Sequence, residues 1–354
     1  MVDFQRILVI KMSALGDIVH ALPSLAALRF LFPQAAISWL VEPQFAALLP
    51  GPPYIDDVIV FRKNALRKMA LREKARYLWN LRGELHARRF DLVLDLQGLI
   101  KSTLIALLSG CRRRYGYCEM REGSFLFTRP IRGPHARGHV IERYRDVVRF
   151  LGPVPDEVTF PLPDFSAPRA QLAADLASMG LRGPLALLFP GAGWESKLWP
   201  LQRYAVLAQS LAADGLSVAI GGTAGDGPLA QGIIRLCPPP VPTDLTGKTD
   251  LAGLMALTSL ASVCLGADTG PLHLAAAAGT PTVSLFGPSS GERAGTYGPL
   301  GRYVSTPAPC SPCFKRRCPG QFVCMEQIGV GQVLDKCREV LALVGPKPLG
   351  PPQG

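Results

Sequence analysis

Apolar residues come in short runs separated by longer stretches of helical periodicity. In the first half of the chain the runs are Ile7 to Ile10, Ala36 to Val41, Asp57 to Phe61 and Leu92 to Leu96. A Pro-rich stretch from Gly152 to Pro168 interrupts the pattern. It restarts with Leu185 to Phe189, Ser217 to Ile220, Ser262 to Leu265 and Thr282 to Phe286. Short runs that are apolar throughout predict strands buried on both faces, and the helical stretches between them predict parallel sheets covered on both sides. The restart predicts two doubly wound α/β domains, over residues 1–165 and 166–344. Val330 to Val344 reads as a last helix capping one of the two, and 345–354 as an unstructured Pro-rich tail. The halves read as two copies of one architecture.

The length of 354 residues agrees with two domains of roughly 150 residues each. With 48% hydrophobic and 18% charged residues, wholesale disorder and coiled coil are excluded. The first run ends in polar loop residues and is too short for a signal peptide. The longest uncharged stretches, Leu251 to Ala267 and Thr269 to Gly291, are broken by Gly, Ser, Thr or Pro, whereas a membrane span needs about 20 mostly apolar residues. The expectation is a cytoplasmic chain without a transmembrane helix, its nine cysteines mostly reduced.

A formal net charge of +11 calls for an anionic partner: nucleotide, nucleic acid, acidic sugar or membrane. The charge is unevenly spread. Between Arg62 and Arg145 twenty Lys and Arg stand against seven Asp and Glu, more than the whole surplus. Arg67, Lys68, Arg72, Lys74 and Arg76 have helical spacing and fit a solvated face. Arg112, Arg113, Arg114 and Arg121, in a stretch that reads as loop, fit an anion-binding lip instead. Aromatic residues are not interleaved with this charge, and no zinc-finger or helix-turn-helix spacing occurs, which argues against nucleic acid.

Chemistry is expected where strands run into loops at their carboxyl ends. The first such loop is Lys11-Met12-Ser13-Ala14-Leu15-Gly16-Asp17, with Pro23 suited to the first turn of the following helix. Its single glycine is no dinucleotide fingerprint, which argues against a nicotinamide dehydrogenase. Asp17 reads either as a helix cap or as a carboxylate that takes a proton from a hydroxyl. In the second half, Pro190 to Pro200 combines small residues, including Gly193, with Lys197 just before a helix, either a phosphate site or a tight turn. Gly266-Ala267-Asp268-Thr269-Gly270-Pro271-Leu272-His273 follows a strand and opens a helix, an arrangement suited to a diphosphate, with a structural cap and a buried histidine as the alternative. Cys310, Cys313, Cys318 and Cys324 have spacings that suit either a structural metal or plain thiols. No two aspartates have Asp-x-Asp spacing, so no metal for catalysis is expected.

Taken together, Lys11 to Asp17, Lys197 to Pro200, Asp244-Leu245-Thr246-Gly247 and Asp268 to His273 resemble the lipopolysaccharide heptosyltransferases of glycosyltransferase family 9, over nearly the whole chain and in the same order. Asp91 to Ser102, Arg121-Glu122-Gly123 and His139 to Arg143 most resemble the branch that adds the first heptose to the Kdo of lipid A, heptosyltransferase I. The resemblance implies a GT-B fold, two Rossmann-like domains facing across a cleft, acceptor on the amino-terminal side and ADP-heptose on the carboxyl-terminal side. It implies Asp17 as general base and Lys197 at the departing diphosphate. It assigns Gly193, Asp226, Thr249, Asp268, Thr269, Gly270 and His273 to the donor, and Ser13, Gly16, Arg62, Lys63, Lys101 and Arg121 to the acceptor side. Kdo-lipid A and the cytoplasmic face of the inner membrane follow as partners. Where the family often has hydroxyl residues, this chain has Ala192 and Gly193, and Asp226 stands displaced from the acidic position expected at the ribose. A second-heptose enzyme or another family 9 transferase, and a non-catalytic protein of anionic membranes, are the alternative readings.

Overall fold

The structure, a computed structural model, describes residues 3–318 and 323–349. The chain forms two compact units, Met1–Pro163 and Asp164–Gly354. The first holds β1 (Arg6–Ile10), β2 (Ala36–Val41), β3 (Asp57–Val60), β4 (Leu92–Asp95), β5 (Arg114–Gly116) and β6 (Arg129–Pro130). These pair in parallel in the order β3-β2-β1-β4-β5-β6. The second holds β7 (Leu185–Phe189), β8 (Ser217–Ile220), β9 (Thr243–Asp244), β10 (Val263–Ala267), β11 (Thr282–Phe286) and β12 (Gly301–Ser305). Its order, β12-β11-β10-β7-β8-β9, is the same doubly wound order. All its pairs are parallel too.

The central strands owe their place to composition. From Ile7 to Ile10, Leu92 to Asp95, Leu185 to Phe189 and Val263 to Ala267 every residue is buried, which only strands covered by helices on both faces tolerate. Each sheet has one point where successive connections leave in opposite directions, between β1 and β4 and between β7 and β10. There the loops diverge and open a crevice at the carboxyl ends, the site open α/β sheets use for ligands.

The structure corrects the sequence reading in four places. The first helix runs Leu15–Leu31, so Pro23 lies inside it and not in its first turn; the helix opens right after Ala14, whose N–H bonds the Asp17 carboxylate at 3.4 Å. Four strands escaped the reading, β5, β6, β9 and β12, all in the outer parts of the sheets, three of them only two or three residues long. Arg114 accordingly lies in a strand and not in a loop. The end of the chain is not wholly free: the Leu349 N–H bonds the Gly183 carbonyl at 3.0 Å, and the Lys347 N–H bonds Ser262 Oγ at 2.9 Å. Residues 350–354 of the expected tail lie outside the described residues. The helix Val330–Val344 caps the second unit, where Val333, Cys337 and Val340 join the core around Ile220, Leu265 and Val283.

Candidate active site

In the first unit the loop after β1 lies at the crevice, fastened to the loop after β4. Gln97 Oε1 accepts from the N–H groups of Met12 and Ser13 at 2.9 and 3.2 Å. Lys11 is 1% exposed and its ammonium donates to the Leu96 carbonyl at 3.0 Å and the Tyr144 hydroxyl at 2.8 Å. The same Nζ stands 3.9 Å from Asp17, whose side chain is 48% exposed. Asp17 therefore makes its cap bond, as one reading had it, and still offers a solvent-facing carboxylate beside a buried cation. Gly16 lies in the same helical turn. Under this loop sits Asp95, fully buried, accepting from Gln97 N, Gly98 N, Ser102 Oγ and Thr103 Oγ1. Burial pushes its carboxyl above the usual range against those four bonds.

The expected basic residues flank this loop on both sides, at the same edge of the sheet. Arg62 and Lys63 follow β3, two strands one way, and Lys101 follows β4. Arg121 follows β5, two strands the other way, so each outer group lies roughly 10 Å from the axis of β1. Arg121 N donates to the Gly98 carbonyl at 2.8 Å and Ile100 N to Glu122 Oε2 at 3.3 Å, which ties the Arg121 turn to the loop of Lys101. Gly98 has φ +68°, and a Cβ there would meet the Tyr117 ring at 2.6 Å, so only glycine lets this loop close. Arg62, Lys101 and Arg121 are exposed. Lys63 is committed: its ammonium lies 2.8 Å from Glu42, which is buried.

In the second unit Lys197 follows β7 and Asp268 follows β10, on the two sides of the crevice. The Lys197 ammonium donates to Asp268 Oδ2 at 2.6 Å and to the Asp268 carbonyl at 3.1 Å, with the Trp194 ring 4.6 Å away. His273 Nε2 lies 3.2 Å from Asp268 Oδ1, and Ser289 Oγ donates to Oδ2 at 2.9 Å. Burial alone would push the Asp268 carboxyl up; the His273 hydrogen bond and the Lys197 charge outweigh it and hold the group well below the usual carboxylate range. An ammonium carries three donors, so Lys197 keeps one for a further acceptor. Next to it, Thr269 stands as N-cap of the helix Gly270–Ala277, and its Oγ1 is buried without a hydrogen-bond partner among the described residues. A free helix start, an unspent ammonium hydrogen and an orphaned hydroxyl together suit a diphosphate.

The remaining donor-side residues line the same edge. Asp226 follows β8, where Oδ2 accepts from Thr223 N at 2.7 Å and Thr223 Oγ1 at 2.8 Å. A Cβ on Gly191 would collide with the Asp226 carboxylate, whereas a Cβ on Gly193 meets nothing within 4 Å. The need for glycine in the Lys197 loop thus lies at Gly191, where Asp226 crowds the backbone, and not at Gly193. Thr249 follows β9, beside the helix that Asp250 caps through Gly253 N at 2.8 Å. Three strand spacings, roughly 14 Å, separate β9 from β10, so Thr249 is not part of the Lys197 cluster.

Three participants have no role assigned from sequence. Lys11 opens the first candidate loop, at the end of an otherwise apolar run. Ser289 lies just beyond β11, and its contact with Asp268 comes only from the pairing of β10 with β11. Ser196, 2% exposed, holds the Lys197 loop by donating its hydroxyl to the Lys315 carbonyl at 2.7 Å. That contact reaches into the cysteine-rich segment, which also bonds the loop after β11 through Ser311 Oγ to Gly287 O at 2.7 Å. All four thiols are free, and among the described residues no three His, Cys, Asp or Glu side chains converge as a metal site would require. Burial pushes the Cys324 thiol up, and Cys318, Cys310 and Cys313 add to that.

Comparison with known proteins puts this geometry in a family. The model of glycosyltransferase family 9 (heptosyltransferase) matches residues 78–323. Over 338 residues the chain is 31% identical to lipopolysaccharide heptosyltransferase 1 of Pseudomonas aeruginosa, covering 89% of this chain and 88% of that protein. Among solved structures, the glycosyl transferase family 9 protein of Veillonella parvula superposes with a TM-score of 0.83 at 22% identity, covering 97% and 99% of the two chains. The Escherichia coli heptosyltransferase WaaC with ADP gives 0.73 at 22% identity, covering 95% and 100%. These structures share the fold, the GT-B arrangement of two parallel-sheet α/β domains. The chain belongs to glycosyltransferase family 9, the heptosyltransferases.

Proposed function

We propose that the protein transfers heptose from ADP-heptose to the Kdo of a lipid A inner-core acceptor, with inversion at the anomeric carbon. The observation that carries this reading is the cluster of Lys197, Asp268, His273 and Thr269 at the crevice between β7 and β10. It pairs a positive group with unspent donors where a nucleotide diphosphate would lie. Asp17 and the exposed Arg62, Lys101 and Arg121 supply the acceptor side, a carboxylate for the hydroxyl and guanidinium or ammonium groups for carboxylates and phosphates.

In this mechanism a Kdo hydroxyl attacks the anomeric carbon, its proton passes to the Asp17 carboxylate, and the bond to the diphosphate oxygen breaks with its electron pair leaving on ADP. The transition state is oxocarbenium-like. Charge developing on the diphosphate meets the third Lys197 hydrogen, the Thr269 hydroxyl and the amides at the start of Gly270–Ala277. Asp268 holds the lysine from the far side, so the ammonium is aimed before substrate arrives. Asp226 and Thr249, farther along the row of strand ends, are assigned to the ribose and adenine. A lipid-anchored acceptor places the enzyme at the cytoplasmic face of the inner membrane.

The test is transfer itself. Purified protein is given ADP-heptose with Kdo-lipid A, or with the same acceptor already bearing one heptose, and the product is weighed by mass spectrometry. Addition to the first acceptor, lost in Asp17→Ala, is the expected result. Addition only to the second would identify a second-heptose enzyme, and release of no ADP with either would overturn the assignment.

A further inference from the structure

Phe125, Leu126 and Phe127 stand 54%, 71% and 44% exposed, three large apolar side chains in a row on the turn after β5. Such a run in water is a cost that a folded surface normally avoids. The turn is nevertheless built to present it. Ser124 is fully buried, and its Oγ donates to the Gly98 carbonyl at 3.1 Å. Thr128, 1% exposed, bonds the Ser124 carbonyl through its N–H at 3.2 Å, and Arg114 Nε donates to the Phe127 carbonyl at 2.9 Å. Both ends of the turn are therefore anchored while its middle points outward. Elsewhere in the same unit Phe150 is 44% exposed, with the Arg129 guanidinium 5.3 Å over its ring.

The flanking sequence is basic. Arg121 before the turn and Arg129 and Arg132 after it are exposed, and from 120 to 132 the one acidic residue is Glu122, whose carboxylate is bonded to Ile100 N. An apolar tip flanked in sequence by exposed arginines matches the boundary of an anionic bilayer, where acyl chains lie under phosphate headgroups. Two copies of this patch would instead bring like charges together.

We propose that the Phe125–Phe127 turn inserts into an anionic lipid bilayer, with Arg121, Arg129 and Arg132 against the headgroups. The proposal rests on the reading of a lipid-anchored acceptor. It gives the bond between Arg121 N and Gly98 O a consequence, because insertion would hold the loop of Lys101 at headgroup height.

Co-sedimentation with phosphatidylcholine vesicles, with and without phosphatidylglycerol, tests it directly. The wild type is expected to bind the phosphatidylglycerol vesicles, and Phe125→Ser/Leu126→Ser/Phe127→Ser to bind them about tenfold or more weakly at an unchanged melting temperature. A second variant, Leu126→Trp, should blue-shift its fluorescence on those vesicles and be quenched by brominated acyl chains. With a deacylated, water-soluble acceptor the triple variant should turn over as the wild type does. Equal vesicle binding by wild type and triple variant, no quenching of the indole introduced by Leu126→Trp, or loss of a turn-dependent dimer in place of vesicle binding would each overturn the proposal. Absence of transfer by the wild type to every acceptor would sink the functional reading and leave the vesicle result intact.

Discussion

Lys197→Met is the perturbation that separates chemistry from architecture in the second unit. The ammonium spends two of its three hydrogens on Asp268, at 2.6 and 3.1 Å, and faces the Trp194 ring at 4.6 Å. Methionine keeps most of the stem and its packing on that ring and removes the charge. Two losses follow. One charged hydrogen bond to the leaving diphosphate disappears, which costs about 10- to 1,000-fold in kcat, or about 1.4 to 4 kcal/mol of transition-state stabilisation. The paired carboxylate of Asp268 also loses a partner, though His273 and Ser289 still hold it, so folding stability falls by about 2 kcal/mol. Initial rates well below the melting temperature, with ADP-heptose varied, give kcat and KM apart from stability, and a thermal melt gives the second loss. Asp268→Asn and the double variant complete a cycle, and coupling in kcat as well as in stability is expected because the carboxylate aims the lysine. A Lys197→Met enzyme that melts lower yet keeps kcat within about twofold would refute the argument and leave Lys197 as a mere partner of Asp268.

Asp17→Asn should lower kcat by about 100- to 10,000-fold and lower the melting temperature only slightly, since the carboxylate is half exposed and its contacts are long, a 3.4 Å cap bond and a 3.9 Å ion pair with Lys11, whose ammonium keeps its bonds to Leu96 and Tyr144. Arg62→Ala, Lys101→Ala and Arg121→Ala should raise KM for the acceptor, lessen its salt dependence and spare ADP binding, as titration calorimetry would show. Arg145→Ala should do the reverse, lowering stability by about 3 kcal/mol or more with the acceptor KM unmoved, as a denaturant melt beside the kinetics would reveal. Acid stability should depend on Asp268. Its folded carboxyl titrates below the unfolded range of about 4, so it stabilises the fold fully above that range and the contribution fades as pH falls toward the folded value. The deficit in melting temperature of Lys197→Met should accordingly be largest near neutrality and shrink below about pH 4.

The fold was legible wherever a strand was buried on both faces. Ala36–Val41, Leu185–Phe189, Ser217–Ile220 and Thr282–Phe286 lie where the apolar runs placed them. A strand such as Arg129–Pro130 is two residues long, and no periodicity exists at that length. Gly301–Ser305 failed for a different reason: at a sheet edge, Tyr303 and Ser305 face solvent and the run loses its apolar signature. Pro23 misled because a proline favours a first turn statistically, whereas here buried Ile18, Val19, Leu22 and Leu25 hold the helix through it. In the candidate site, residues of the segments that directly follow a strand were legible as candidates, as with Asp17 after β1, Lys197 after β7 and Asp268 after β10. Partners supplied by a neighbouring strand, Gln97 for Ser13 or Ser289 for Asp268, were not, because strand order decides them.

The same distinction governs the positive charge. The segment from Arg62 to Arg145 carries the whole surplus, yet several of its cations never reach a ligand. Arg145 is 2% exposed and bonds Glu142 and the carbonyls of Pro155, Asp156 and Glu157, which staples the helix Val140–Arg149 to the chain that leaves it. Arg143 is 5% exposed and held by Glu119 and the Gly138 carbonyl. Arg114 bonds the carbonyls of Cys111 and Phe127, and Arg88 pairs with Asp57 and Glu84. Lys63 is matched by Glu42. At physiological salt an exposed charge acts over about 8 Å, so an acceptor feels the cations beside it and not the net charge of the segment. Arg62, Lys101 and Arg121, exposed at the carboxyl ends of β3, β4 and β5, are the cations the proposed acceptor would meet on both sides of Asp17. A single composition number thus covers two populations, one that binds the chain to itself and one exposed to an anion, and the acceptors a cation already holds are what sort them.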